Sequence, residues 1–257
     1  MSIPDAVQTL HRDLSTIFGA RLQSLVIYGP RARESREGAH AHEHHAHHDH
    51  PHGHTHDRHQ APIQTMAVVG ALSGDDLRAC AARVGGWHDE GLATPLLVVA
   101  AELDRSLDSF PLEFGAIQAD HVVVTGTSPF ASIAVDPADV RRACEHQARS
   151  HLLHLREGFL ETRGRADALA VLIVSSAAPF AALITSIARL EGRDAADAAG
   201  AGRHAERTLG LTGGAITDVV QLMGVQEIPS ADALRVFPPY LDAVEKLVKY
   251  VDGWNAK

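Results

Sequence analysis

Leu25-Val26-Ile27-Tyr28-Gly29-Pro30-Arg31-Ala32-Arg33 is the stretch that decides the fold. An unbroken apolar run, Leu22 to Tyr28, reads as a short buried strand. Gly29-Pro30 forces a turn, and Arg31 to Arg36 can begin a helix before Gly38 releases it.

Next along the chain comes HAHEHHAHHDHPHGHTHDRH, residues 40–59, which holds eleven of the eighteen histidines. They are His40, His42, His44, His45, His47, His48, His50, His52, His54, His56 and His59. The stretch has almost no bulky apolar residue, so it cannot bury a core and reads as a loop insertion over 39–60. Neutral imidazole binds transition metals, and the expected ions are Zn or Ni. No spacing matches a closed zinc site and no cysteine lies nearby, so the tract reads as a diffuse binder. A tolerated insertion without a role is the alternative.

Order returns at Ile63. Residues 63–69 read as a buried strand, and Ser73 with Asp76 forms a capping box for a helix near 74–85. Leu96 to Ala101 is a further strand, followed by a short helix at about 102–108. Phe110-Pro111-Leu112-Glu113-Phe114 reads as an extended edge, and His121 to Thr125 as another strand. Upstream, Val7, Leu10, Leu14, Ile17 and Phe18 recur at helical spacing over residues 4–19. Strands alternating with helices indicate an α/β or α+β domain over residues 1–135.

After Val135 the strand signals stop. Asp136 is a helix cap and Pro137 suits the first helical position. A long helix to about Arg163 carries the stripe Val140, Cys144, Ala148, His151, Leu155 and Phe159. Three more helices fit near 166–191, 204–223 and 231–254, so residues 136–257 read as an all-α bundle. Pro238-Pro239 either kinks the last helix or marks its start. An exposed stripe on that helix would indicate an oligomer.

Residues 168–188, ALAVLIVSSAAPFAALITSIA, carry no charge and match the length of a membrane span. Their Ala and Ser content, Pro179 and the arginines at both ends favour a buried bundle helix, so no membrane partner is expected. The formal charge of −9 excludes a general nucleic-acid binder, since no basic surplus exists to neutralise phosphates. The two cysteines, Cys80 and Cys144, sit in helical patterns and read as core residues of a cytoplasmic protein.

The Leu25–Arg33 run resembles the signature of the polymerase-β-like nucleotidyltransferase superfamily, and the helical half resembles the bundle of aminoglycoside-type nucleotidyltransferases. The resemblance implies an α/β (α+β) nucleotidyltransferase-like domain followed by that bundle. It implies Mg-nucleotide as ligand, with Gly29, Arg31 and Arg33 holding phosphate and Glu113 as the later catalytic carboxylate. Two departures matter. Pro30 stands where the family's phosphate-binding serine belongs and lacks both hydroxyl and N–H. The Asp-x-Asp metal positions fall on Pro62 and Gln64, and a hard Mg²⁺ needs anionic oxygens.

Three roles follow: a catalytically degenerate transferase fold with a nucleotide-binding or regulatory role, an active transferase with displaced metal ligands, or a metal-handling protein built on the tract. Several residues also have a plainer reading. Arg31 and Arg33 suit solvated charges paired with Glu34 or Glu37, and Glu113 suits a solvent face. Asp104 and Asp108 suit an exposed helix face, and His151 a hydrogen-bonded core histidine.

Overall fold

The computed structural model describes residues 3–32, 61–193 and 197–253. The chain forms two compact units: residues up to Ser109 together with Glu113–Ala134, and Phe110–Leu112 together with Val135 onward.

The first unit is built on a mixed four-stranded sheet of order β3-β2-β1-β4. Its strands are β1 (Leu22–Tyr28), β2 (Gln64–Val69), β3 (Leu96–Val99) and β4 (His121–Gly126). β1 runs antiparallel to both neighbours, pairing from Leu22↔Val69 to Tyr28↔Gln64 with β2 and from Ser24↔Gly126 to Tyr28↔His121 with β4, with a register irregularity between Leu22 and Ser24 in the first ladder and between Leu25 and Val26 in the second. β2 and β3 are parallel. Side chains alternate between faces along a strand. Leu25 and Ile27 of β1 and Ala67 and Val69 of β2 therefore share one face, where they cluster with Val7, Leu10, Leu14 and Phe18 of α1 (Asp5–Phe18). Val26, Met66, Val68 and Val98, of the opposite parity, are buried as well. Burial on both faces explains why these strands read as unbroken apolar runs.

α2 (Gly74–Ala81) starts on the expected capping box, with the Ser73 side chain on the Asp76 N–H and the Asp76 carboxylate on the Ser73 N–H. α3 (Val84–Asp89) buries Trp87, whose indole N–H donates to Asp13 at 2.8 Å. After α4 (Leu103–Ser109) comes a correction. Pro111–Ala119 is a helix, α5, not an extended edge. Pro111 has no N–H to lose at a helix start, and Pro111, Phe114 and Ile117, at steps of three, are its buried residues.

The second unit is all helical: α6 (Pro137–Glu161), α7 (Ala166–Leu190), α8 (Ala198–Thr208), α9 (Ala215–Val220) and α10 (Ser230–Asp252). α7 is long and apolar enough to cross a membrane. Here it packs against α6, α8, α9 and α10, and Leu169, Ile173, Phe180, Ile184 and Ile187 lie in the core. The helix expected over 204–223 is two helices, because Gly210, Gly213 and Gly214 adopt positive φ between them. Buried Glu206 joins the pieces by accepting the N–H groups of Ile216 and Thr217, both at 2.8 Å, at the start of α9. α10 runs through Pro238 and Pro239 without ending.

His151 is the core histidine that its place on the apolar stripe suggested. Its Nε2 meets the Tyr240 hydroxyl at 2.6 Å, and its ring stacks on Phe180 at 5.0 Å. Ser176 joins the same hydroxyl at 3.1 Å.

Candidate functional site at the end of the sheet

β1 lies inside the sheet, so its exit places Tyr28 and Gly29 between the ends of two other strands. Gly29 has φ +76, a conformation costly for a residue with a Cβ. Its N–H donates to the Asp120 carbonyl at 3.0 Å, and its own carbonyl accepts from Ala32 at 3.0 Å. Residues 30–32 are helical, so the strand enters a helical turn at once. Ala32 is buried beneath this turn and Arg31 is half-buried. Arg33 lies outside the described residues, as do His40, His42, His44, His45, His47, His48, His50, His52, His54, His56 and His59.

Across the strands, Gln64, Tyr28 and His121 are register partners and therefore lie in a row on the face opposite α1. Tyr28 is partly desolvated there, which raises its phenol above the ordinary value. The Oε1 of Gln64 lies 2.7 Å from where a Gly29 Cβ would stand. The position expected to carry a metal-binding carboxylate thus does reach the Gly29 turn, but it presents a neutral amide. The donor set does not fit a two-metal site: positions 62 and 64 are Pro and Gln, and among the described residues no group of three His, Cys, Asp or Glu could hold an ion.

Glu113 does not join this row. It is exposed in the first turn of α5, where a carboxylate complements the helix dipole. The other end of α5 leads to Asp120, so Glu113 is separated from that end by six residues, about 9 Å of helix. Asp104 and Asp108 are exposed on α4.

The sequence reading passed over His121. Its Nδ1 lies 3.0 Å from the Gln118 carbonyl and its Nε2 3.0 Å from the Ser128 hydroxyl. Phe130 packs edge-on against the ring at 5.1 Å. No signal in the sequence pairs His121 with Tyr28, because that contact depends on β4 lying antiparallel beside β1.

No family model matches the sequence, and no curated protein matches it. Among solved structures, the chain is similar to the spectinomycin adenyltransferase AAD(9) from Enterococcus faecialis, crystallised with ATP and spectinomycin. The two share 9% identity with a TM-score of 0.55 over 95% of this chain and 98% of that one. At that identity the likeness is one of fold. The chain has a nucleotidyltransferase-like fold, with a mixed four-stranded sheet followed by a helical region.

Proposed function

We propose that this protein binds a nucleotide at the Gly29 turn and has a binding or regulatory role in place of two-metal nucleotidyl transfer. The observation that carries this reading is the turn itself: a sheet strand exits through a left-handed glycine into a helical turn, in a fold shared with an ATP-binding adenyltransferase. Arg31 and Arg33 would meet the phosphates. Gln64 in place of a carboxylate removes the charge a catalytic Mg²⁺ requires and leaves Mg²⁺ to arrive, if at all, on the nucleotide. Glu113, the other candidate carboxylate, is the residue to exchange first should transfer be detected. Both thiols are buried and free, and burial pushes Cys144 up to about 12, which suits an inert core residue in a reducing cytoplasm.

The test is calorimetric titration of Mg-ATP and Mg-GTP into the chain lacking residues 39–60, so that the histidines add no signal. Saturable binding that weakens at least tenfold in Arg31→Ala supports the reading. No heat with either nucleotide overturns it.

One observation favours a second role beside the first. Eleven histidines in twenty residues make a high-capacity ligand for Zn or Ni. In that role the fold carries a metal store, and removing the tract abolishes uptake of either ion as read by equilibrium dialysis.

A further inference from the structure

We propose that Ser128 and His121 form a nucleophile–base pair, and that Ser128 accepts a nucleotidyl group from a nucleotide seated at the Gly29 turn. The inference rests on the nucleotide-binding reading above and adds the acceptor.

The geometry fixes the roles. A carbonyl can only accept, so the contact to Gln118 places the ring proton on Nδ1. With the ring proton on Nδ1, a base at Nε2 accepts from the Ser128 hydroxyl 3.0 Å away. A hydroxyl bonded to an imidazole whose far nitrogen is held by a third group is the arrangement that activates a serine. The edge-on Phe130 holds the ring plane, and the Phe130 N–H reaches Ser128 Oγ at 3.3 Å.

Position links the pair to the phosphate turn. His121 is the register partner of Tyr28, and the residue before it accepts the Gly29 N–H. β4 leads away from this end of the sheet as far as Gly126, where φ is +77. The chain then brings Ser128 back to the His121 ring. Ser128 is half-buried, while the neighbouring Thr127 is exposed.

The step balances without an acceptor from outside. Ser128 Oγ bonds to the α-phosphorus of a nucleoside triphosphate, and the bond from that phosphorus to the bridging oxygen breaks. Pyrophosphate leaves, and the hydroxyl proton passes to His121 Nε2 and on to water. The product is a serine phosphodiester carrying one nucleoside monophosphate. The metal-poor row beside Gly29 fits a slow, single modification of the chain itself better than repeated turnover on a small acceptor.

The experiment incubates the full-length chain with Mg-ATP labelled at the α-phosphate and reads intact mass, the labelled peptide and, in parallel, ATP affinity. The expected result is one added adenylyl group on Ser128, absent in Ser128→Ala, retained in Thr127→Ala, and formed about 100-fold more slowly in His121→Gln. Equal ATP affinity in His121→Gln and the parent shows that the loss is chemical. Binding of ATP with no label, or a label on another residue, overturns this inference and leaves the nucleotide-binding reading standing. No binding overturns both.

Discussion

Arg21 grips Asp76 with both prongs of its guanidinium, Nη1 at 2.7 Å from Oδ2 and Nη2 at 2.8 Å from Oδ1. The pair ties the chain entering β1 to the first turn of α2, and Ser73 completes it by donating from its hydroxyl and its N–H to Asp76 Oδ2 at 2.7 and 2.9 Å. Arg21 first, then Ser73, holds the Asp76 carboxyl far below the ordinary carboxylate value.

That depression has a definite sign. The folded state prefers the ionised carboxylate, so the pair's contribution is complete above the unfolded value near ~3.9. It fades as pH falls below that value towards the depressed folded one. Urea midpoints measured from pH 6 to pH 2 should fall less steeply in Asp76→Asn than in the parent. Ser73→Ala should cost about 1 kcal/mol at neutral pH through the lost cap.

His151 and Tyr240 give a second acid-sensitive point, in the helical unit. Burial, with a smaller contribution from His154, lowers His151 from 6.5 to about 4. The unfolded chain takes up the proton first, so stability is full above the unfolded value of 6.5 and falls as pH drops from there towards about 4. The full loss is roughly 3 kcal/mol at one pKa unit per 1.36 kcal/mol. Tyr240→Phe keeps the ring against Phe180 but strips the partner from a buried imidazole nitrogen. It should cost about 1–3 kcal/mol in thermal or urea unfolding at pH 8.

Glu206 offers a test of how α8 and α9 hold together. Glu206→Ala strands two buried-end N–H groups and the Thr217 hydroxyl, which now donates at 3.0 Å. The expected loss is about 2–3 kcal/mol, and hydrogen exchange at Ile216 and Thr217 should accelerate more than elsewhere in the unit.

Removing residues 39–60 should leave the fold intact. β1 and β2 are adjacent antiparallel strands whose paired ends are Tyr28 and Gln64, so a short connection can replace the long one. The shortened chain should keep its circular dichroism spectrum and its urea midpoint to within ~1 kcal/mol. It should also lose retention on a nickel resin.

Much of this architecture could be read from local chemistry. The Ser73–Asp76 cap, the apolar run 22–28 and the stripe around His151 each announce themselves within a few residues, because capping and periodicity are short-range signals. Pro111 carries a double meaning. Pro111 suits an extended edge as well as a helix start, and only the burial of Phe114 and Ile117 decides between them. The helix expected near 231–254 is present, and its passage through Pro238 and Pro239 is a tertiary outcome, enforced by the buried side chains of α10 around them. At the candidate site, Gly29 was legible from its place after an apolar strand. The row Gln64–Tyr28–His121 was not, since residues far apart in sequence become neighbours only once strand order and register are fixed.

The apolarity of α7 sets an order of events during synthesis. Ala166–Leu190 leaves the ribosome before α10, yet Phe180 of α7 is covered by Tyr240, which lies far downstream. Until that later helix arrives, a nascent chain displays a segment with the hydropathy of a membrane span. Quality-control factors that sort apolar segments therefore meet this helix when only α6 among its partners has been made, and a ribosome stalling short of α10 would leave a product fit for aggregation or capture instead of folding.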